Sequence, residues 1–155
     1  MSTNPRTIHI YKLDPRAQLP SRAHDNAVGL DVHAFLLTET GRASVRTVPK
    51  QWVTIIPTGI VAIPPPGYYL QCCSRSGLAQ KGIIVANAPG IIDPDYTGEL
   101  LIHLFNGSFE THYVAHQHRI AQLILTPLIG CDTSEIATLP SPRGRGRAGP
   151  GSTGL

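Results

Sequence analysis

The stretch "ELLIHLFNGSFETHYVA", residues 99–115, decides the class of fold. Two short blocks, "ELLIHLF" and "FETHYVA", are rich in branched and aromatic residues of the kind a pleated surface selects. Between them Asn106-Gly107 is a pair that readily takes the positive φ angles of a tight turn, so the reading is two strands joined by a hairpin. The same pattern of short apolar blocks cut by glycine and proline runs outward in both directions. Upstream lie "TIHIYKL" (7–13), "GLDVHAFLL" (29–37), "QWVTIIPTGIVAIP" (51–64, broken at Pro57), "GYYLQCCSR" (67–75) and "KGIIVAN" (81–87), and downstream lies "RIAQLILTPLI" (119–129). Only "RSGLAQKG" reads as a helix, and a short one. With 15 glycines and 14 prolines among 155 residues and no internal repeat, the chain reads as all-β, a sandwich, jelly roll or barrel.

Composition narrows the functional classes. Thirteen Lys and Arg against ten Asp and Glu give a formal charge of +3. Arg143, Arg145 and Arg147 account for all of it, so the body before residue 141 is formally neutral and a nucleic-acid reading built on overall charge loses most of its support. The apolar blocks stop near Pro140. Residues 1–140 therefore read as one domain, and 141–155, "SPRGRGRAGPGSTGL", as a flexible Gly/Arg-rich tail. A chain of this length can bury roughly two thirds of its unfolded surface without staples. Cys72, Cys73 and Cys131 are an odd set with no CxxC pair, and "MSTNPRTIHIYKL" lacks the charged and apolar blocks of a signal peptide. No apolar run approaches the eighteen or so residues of a membrane span. The expectation is a soluble intracellular protein, with cytoplasm and nucleus not distinguished.

Four groups of residues can carry chemistry. In "NAPGIIDPDYTGE" (87–99), Asp93 stands on a proline-locked turn beside Tyr96, with glycines at both ends that let backbone approach a flat ligand. Asp93 or Asp95 can equally cap backbone amides in an ordinary Asx turn. In "CCSRSGLAQKG" (72–82), Ser74, Arg75 and Ser76 precede Gly77 where a helix can begin, a place for an anion or simply for an N-cap serine. The arginines of the tail suit a wrapped polyanion, and also suit a solubilising or nucleic-acid arm. His116 and His118 would share one face if on a strand and could grip an ion, but no third ligand lies at a telling spacing. Trp52, Tyr68 and Tyr69 read as core or subunit-packing groups.

Taken in order, these segments resemble the trimeric dUTPase family. "AVGLDVHA" (27–34) is similar to the family's first motif, A-x-G-x-D-L-x-A, and "SRSGLA" (74–79) to the second, with Ser74 where proline is usual. "GIIDPDYTGE" (90–99) matches the third, G-x-I-D-x-x-Y-x-G-E, throughout. "RIAQLIL" (119–125) resembles the fourth, and "RGRAGPGSTG" (145–154) the fifth. The resemblance implies a distorted β-barrel or jelly-roll subunit in a homotrimer with shared active sites, hydrolysing dUTP to dUMP and pyrophosphate with Mg2+. It implies that Asp93 activates the attacking water and that Tyr96 packs under the deoxyribose. Asn87 and backbone from Ala88 to Ile92, Gly90 included, would read uracil. Arg75, Ser76, Gly77 and Gln122 would hold the α- and β-phosphates, while Arg145, Gly151 and Ser152 would close over the nucleotide. Asp31 would act through a water of the magnesium shell or by ordering the tail, with the metal held mainly by phosphates.

The chain departs from the pattern in places. The fourth motif usually begins G-D/E-R, and here the residues are Gln117, His118 and Arg119. The missing glycine implies a different turn. Pro150 stands where a uracil-stacking phenylalanine is usual, and Ala148 replaces a glycine, so the tail is expected to add less affinity. Two other functions fit the sequence. The last three residues, Thr153-Gly154-Leu155, fit a C-terminal PDZ ligand, which would make the chain an interaction module, and the related dCTP deaminases share the barrel.

Overall fold

The computed structural model describes residues 6–141. Its elements are β1 (His9–Lys12), β2 (Leu30–His33), β3 (Val45–Val48), β4 (Val53–Pro57), β5 (Ile60–Ile63), β6 (Tyr68–Cys73), α1 (Ser76–Ala79), β7 (Ile83–Val85), β8 (Gly90–Ile92), β9 (Leu101–Asn106), β10 (His112–Ala115) and β11 (Arg119–Pro127). They pair in four antiparallel sheets, ordered β2-β11-β6-β8, β4-β9-β7, β1-β5 and β3-β10. The open sheets wrap around one core in a jelly-roll-like arrangement, with no closed barrel among the described residues.

Alternation builds that core. Leu70 and Cys72 of β6, Leu123 of β11, Ile102 and Leu104 of β9, Ile56 of β4, and Ile83 and Val85 of β7 all turn inward. Each large aliphatic side chain buried this way contributes about 1.5–3 kcal/mol. Their neighbours of opposite parity face out. On β4-β9-β7 those outward residues are themselves apolar: Val53, Ile55, Ile84 and Leu101 are exposed together on one sheet face.

The expected strands are present, usually trimmed at their ends, but two elements were not foreseen. β3 reads V-R-T-V, three of its four residues are exposed, and its pattern carries almost no apolar signal. β8, expected within a glycine-bracketed hairpin, instead joins β6, with Cys72 opposite Gly90 and Leu70 opposite Ile92.

Asn106-Gly107 does not make the predicted hairpin. β9 pairs with β4 and β7, whereas β10 pairs with β3, so the chain changes sheets at this point. Asn106 is wholly buried, and its Nδ2 donates to the carbonyls of Val48 and Glu110, both at 2.8 Å. Its Oδ1 accepts from the Ser108 amide (3.0 Å) and hydroxyl (2.7 Å). The asparagine is there to satisfy backbone at a sheet crossing rather than for a left-handed turn.

Candidate active site

β8 and the turn after it form one wall of a cavity of about 190 Å³. Asn87, Gly90, Ile92 and Tyr96 line it, together with Cys72, Leu101 and His103. Here Gly90, Ile92, Tyr96 and Glu99 of the third motif come together. The Tyr96 hydroxyl donates to the Glu99 carbonyl at 2.9 Å. Its ring lies so close to Gly98 that a Cβ there would stand 2.7 Å from Tyr96 Cζ, which is why the turn needs glycine at that position. Glu99 anchors the other end: its Oε1 accepts from the amides of Thr58 (3.2 Å) and Gly59 (2.7 Å), tying the turn to the β4–β5 corner.

Asp93 follows Ile92 directly and is exposed. Its carbonyl accepts the Tyr96 amide at 3.1 Å, so a backbone bond closes the turn. Among the described residues neither the Asp93 nor the Asp95 carboxylate caps an amide or pairs with a cation, so the Asx-turn reading is not met. An uncommitted carboxylate thus stands one residue beyond a wall of the cavity.

The second group assembles around Asp31, which is buried in β2. Arg75 Nε donates to its Oδ1 at 2.7 Å and Arg75 Nη2 to its Oδ2 at 3.4 Å, while Arg119 Nη1 reaches Oδ2 at 3.3 Å. Arg119 can do so because β11 bulges there: Arg119 lies opposite His33 and Ala121 opposite Val32, leaving Ile120 as the extra residue. Gln122 faces Asp31 across the strands, and its Nε2 donates to the Ser74 carbonyl at 2.9 Å. Its side chain occupies the space a Cβ on Gly29 would need, which accounts for the glycine of the first motif. Ser76 and Gly77 open α1, where the first amides have no helical carbonyl to bond. The N-cap is Arg75, without a side-chain cap, so the N-cap-serine reading fails. The Ser74 hydroxyl instead accepts the Val85 amide at 2.9 Å.

Gln117, where the fourth motif usually has glycine, sits at φ 64°, a left-handed conformation that costs a non-glycine residue about 1–2 kcal/mol. His116 and His118 are not on a strand, and their Nδ1 atoms accept the amides of Leu36 (3.0 Å) and Ala115 (3.2 Å). Those nitrogens are committed to the fold. Among the described residues no group of three His, Cys, Asp or Glu side chains could hold a metal ion. Trp52 is 65 % exposed and so is no part of the core. Burial pushes the Cys72 thiol up to about 12, which makes it an inert wall of the cavity. Burial likewise lowers His33, against the pull of Asp31.

Within one chain the two groups line different cavities. Arg75 and Arg119 border a second one of about 260 Å³ with His112, Gln117 and His118. Arg145, Gly151, Ser152 and the whole tail from 142 onward, including Pro150 and Leu155, lie outside the described residues. Glu99, Ser74 and the Gly29–Gln122 contact were missed as working parts. The signals in the sequence are an acid closing the third motif, a serine in a proline position and a glycine at the head of an apolar block.

A family model described as dUTPase matches residues 15–154. The deoxyuridine 5'-triphosphate nucleotidohydrolase of Methylocella silvestris is 40% identical over 155 residues, covering 98% of this chain and 94% of its own. That of Albidiferax ferrireducens is 34% identical, covering 95% and 97%. Among solved structures, a dUTPase variant of Staphylococcus bacteriophage 80alpha with dUpNHpp superposes with a TM-score of 0.79 at 22% identity, covering 96% of this chain and 99% of its own. A phage phi11 dUTPase variant described with a structural Mg(II) ion gives 0.71 at 21%, covering 87% and 99%. At those identities the structures speak for the fold.

Proposed function

The chain belongs to the dUTPase family, and from that premise we propose how its own residues divide the hydrolysis of dUTP to dUMP and pyrophosphate. The reaction limits uracil available for DNA and supplies dUMP. Uracil enters the cavity beside β8, read by Asn87 and by the backbone from Ala88 to Ile92. Unpaired polar groups reject a base of the wrong pattern. Tyr96, held over Gly98, packs under the deoxyribose and leaves no space for a 2′-hydroxyl. Arg75, Ser76, Gly77 and Gln122 hold the α- and β-phosphates. Asp93 accepts a proton from water, whose oxygen bonds to the α-phosphorus as the bond to the bridging oxygen breaks and pyrophosphate leaves. The observation that carries this reading is the uncommitted Asp93 carboxylate beside a cavity lined by the third motif.

The donor set fits magnesium brought by the substrate rather than caged by protein. Asp31 is the carboxylate nearest the phosphate-side residues, and both its oxygens already accept from arginine, which suits contact through a water. A bound Mg2+ supplies neutralisation of phosphate charge. The homotrimer is part of the proposal. It is supported by the apolar outer face of β4-β9-β7 and by the separation of the two groups into different cavities, which copies of the chain would bring together. Residues 141–155 act as a separate arm that closes over the bound nucleotide through Arg145, Gly151 and Ser152.

The reading is tested by incubating the chain with dUTP, dCTP or UTP and magnesium, then measuring pyrophosphate and ammonia. Pyrophosphate from dUTP alone is expected. Ammonia from dCTP would move the chain to the deaminase chemistry, and no product from any of them would leave an interaction module.

A further inference from the structure

We infer that His118 is a binding residue for the outer end of the triphosphate: its Nε2–H donates to the terminal phosphate of dUTP, and to pyrophosphate as it leaves. The inference rests on the proposed hydrolysis of dUTP. His118 is pinned at three points. Its amide donates to the Ala115 carbonyl at 3.1 Å, its carbonyl accepts the Ala34 amide at 2.8 Å, and its Nδ1 accepts the Ala115 amide at 3.2 Å. A neutral imidazole whose Nδ1 accepts carries its hydrogen on Nε2, so the far edge of this ring is a donor. Among the described residues that Nε2 has no partner. His116 differs: its ring packs edge-on against Phe35, with centroids 5.5 Å apart, and takes no part in the cavity that His118 borders.

The surroundings decide what such a donor meets. The cavity of about 260 Å³ beside His118 also takes in Arg75, Arg119 and His112, and no acidic residue lines it. Arg75 and Arg119 share the one carboxylate of Asp31, at 2.7 and 3.3 Å, so the cluster keeps one positive charge in excess. Of the Arg119 guanidinium nitrogens only Nη1 is engaged among the described residues, which leaves further donors. Arg75 leads directly into Ser76 and Gly77, where the proposed reaction holds the α- and β-phosphates. A third phosphate reaching past Arg75 therefore enters a positively charged cavity with donors from Arg119 and His118. Donors there are worth most as the bond to the bridging oxygen breaks, when negative charge gathers on pyrophosphate. A carboxylate, usual at this position in the family pattern, has no hydrogen to give and repels phosphate. The contact is thus a feature of this chain. All of these residues belong to one chain, so the contact is the same whichever copy supplies the base-side cavity.

The test uses the full-length chain with magnesium and three variants. His118→Asn keeps an oxygen near the Nδ1 position to accept the Ala115 amide, and lacks the far-edge donor. His118→Gln does the reverse, keeping a donor at the reach of Nε2 and giving up the amide bond. His118→Asp installs an acid. Calorimetry measures the affinity for pyrophosphate and for dUMP, which lacks the outer phosphates, and urea titration measures folding. In His118→Asn the Kd for pyrophosphate is expected to rise about tenfold, the worth of one hydrogen bond to a charged group. The Kd for dUMP should stay within about twofold, with the urea midpoint of the wild type. His118→Gln should keep the affinity for pyrophosphate while its urea midpoint falls, and His118→Asp should bind pyrophosphate more weakly than His118→Asn. If His118→Asn does not fold, the contrast between His118→Gln and His118→Asp carries the comparison. An unchanged pyrophosphate Kd in His118→Asn, an equal weakening of dUMP, or as large a loss in His118→Gln would overturn the assignment. A wild-type chain that leaves dUTP intact would defeat the underlying function instead, and the calorimetric comparison tells the two failures apart.

Discussion

Replacing Gly29 by alanine drives a methyl group into Gln122. The new Cβ would overlap Gln122 Oε1 and stand 2.9 Å from its Cδ and 3.1 Å from its Cβ. Gly29 is not in the positive-φ region, so the backbone accepts alanine and the whole cost is steric. The Gln122 amide can swing aside, but only by giving up its 2.9 Å bond to the Ser74 carbonyl, a loss of about 1 kcal/mol. The two Cβ atoms cannot swing, and the remaining crowding costs about 1 kcal/mol, the low end for overpacking. Stiffening of the unfolded chain by alanine returns about 0.5 kcal/mol. The net loss is about 1.5 kcal/mol, read as a Tm lower by about 3–6 °C for a chain of this size. The assay is urea denaturation of Gly29→Ala, Gln122→Ala and the double variant. Alanine at 122 keeps its Cβ and with it the Cβ–Cβ crowding, but no amide bond is left to lose, so Gly29→Ala should then cost only about 0.5 kcal/mol. An equal loss in both backgrounds would refute the assignment of Gly29 to making room for Gln122.

Other perturbations follow from the same geometry. Asn106→Ala strips four hydrogen bonds from a buried crossing and should destabilise by about 3 kcal/mol or more, measured by denaturant titration. Burial, then Lys81 and His118, hold His112 below its ordinary value of 6.5. The unfolded chain therefore takes up a proton that the folded His112 resists, so its contribution is present above about pH 6.5 and is lost as pH falls below it. His112→Asn should flatten the decline of Tm between pH 7.5 and 5, and an unaltered slope would exclude His112 as a source. Deleting residues 144–155 should lower kcat/KM for dUTP, whereas an unchanged turnover rate would remove the closing role of the tail.

Where periodicity is strong, the fold could be read directly. Ile102 and Leu104, or Leu70 and Cys72, alternate with outward residues and land where the pattern puts them. Sheet assignment could not be read, because Asn106-Gly107 has the chemistry of a hairpin and the crossing it serves depends on partners some 58 residues away. β3 was missed for a related reason: a strand exposed along most of its length has no apolar face to betray it. Site residues separated in the same way. The motif around Asp93 is local, so its turn follows from adjacent residues, whereas the cavity beside it also needs Cys72 and His103 from other strands. The Arg75–Asp31–Arg119 cluster depends on the pairing of β2 with β11 and on a bulge, neither of which has a signature in the sequence. Gln117 shows the converse, a left-handed residue whose type gives no sign of that conformation in the sequence.

The most direct test of the account is the Asp93→Asn variant with dUTP and magnesium, followed by pyrophosphate release, alongside its affinity for dUpNHpp. The amide keeps the size of the carboxylate and cannot take the proton of the attacking water. Turnover should fall by about 10²–10⁴, the usual worth of a positioned base, with binding changed only a few-fold. Turnover at the wild-type rate with dUpNHpp still bound would contradict the role given to Asp93.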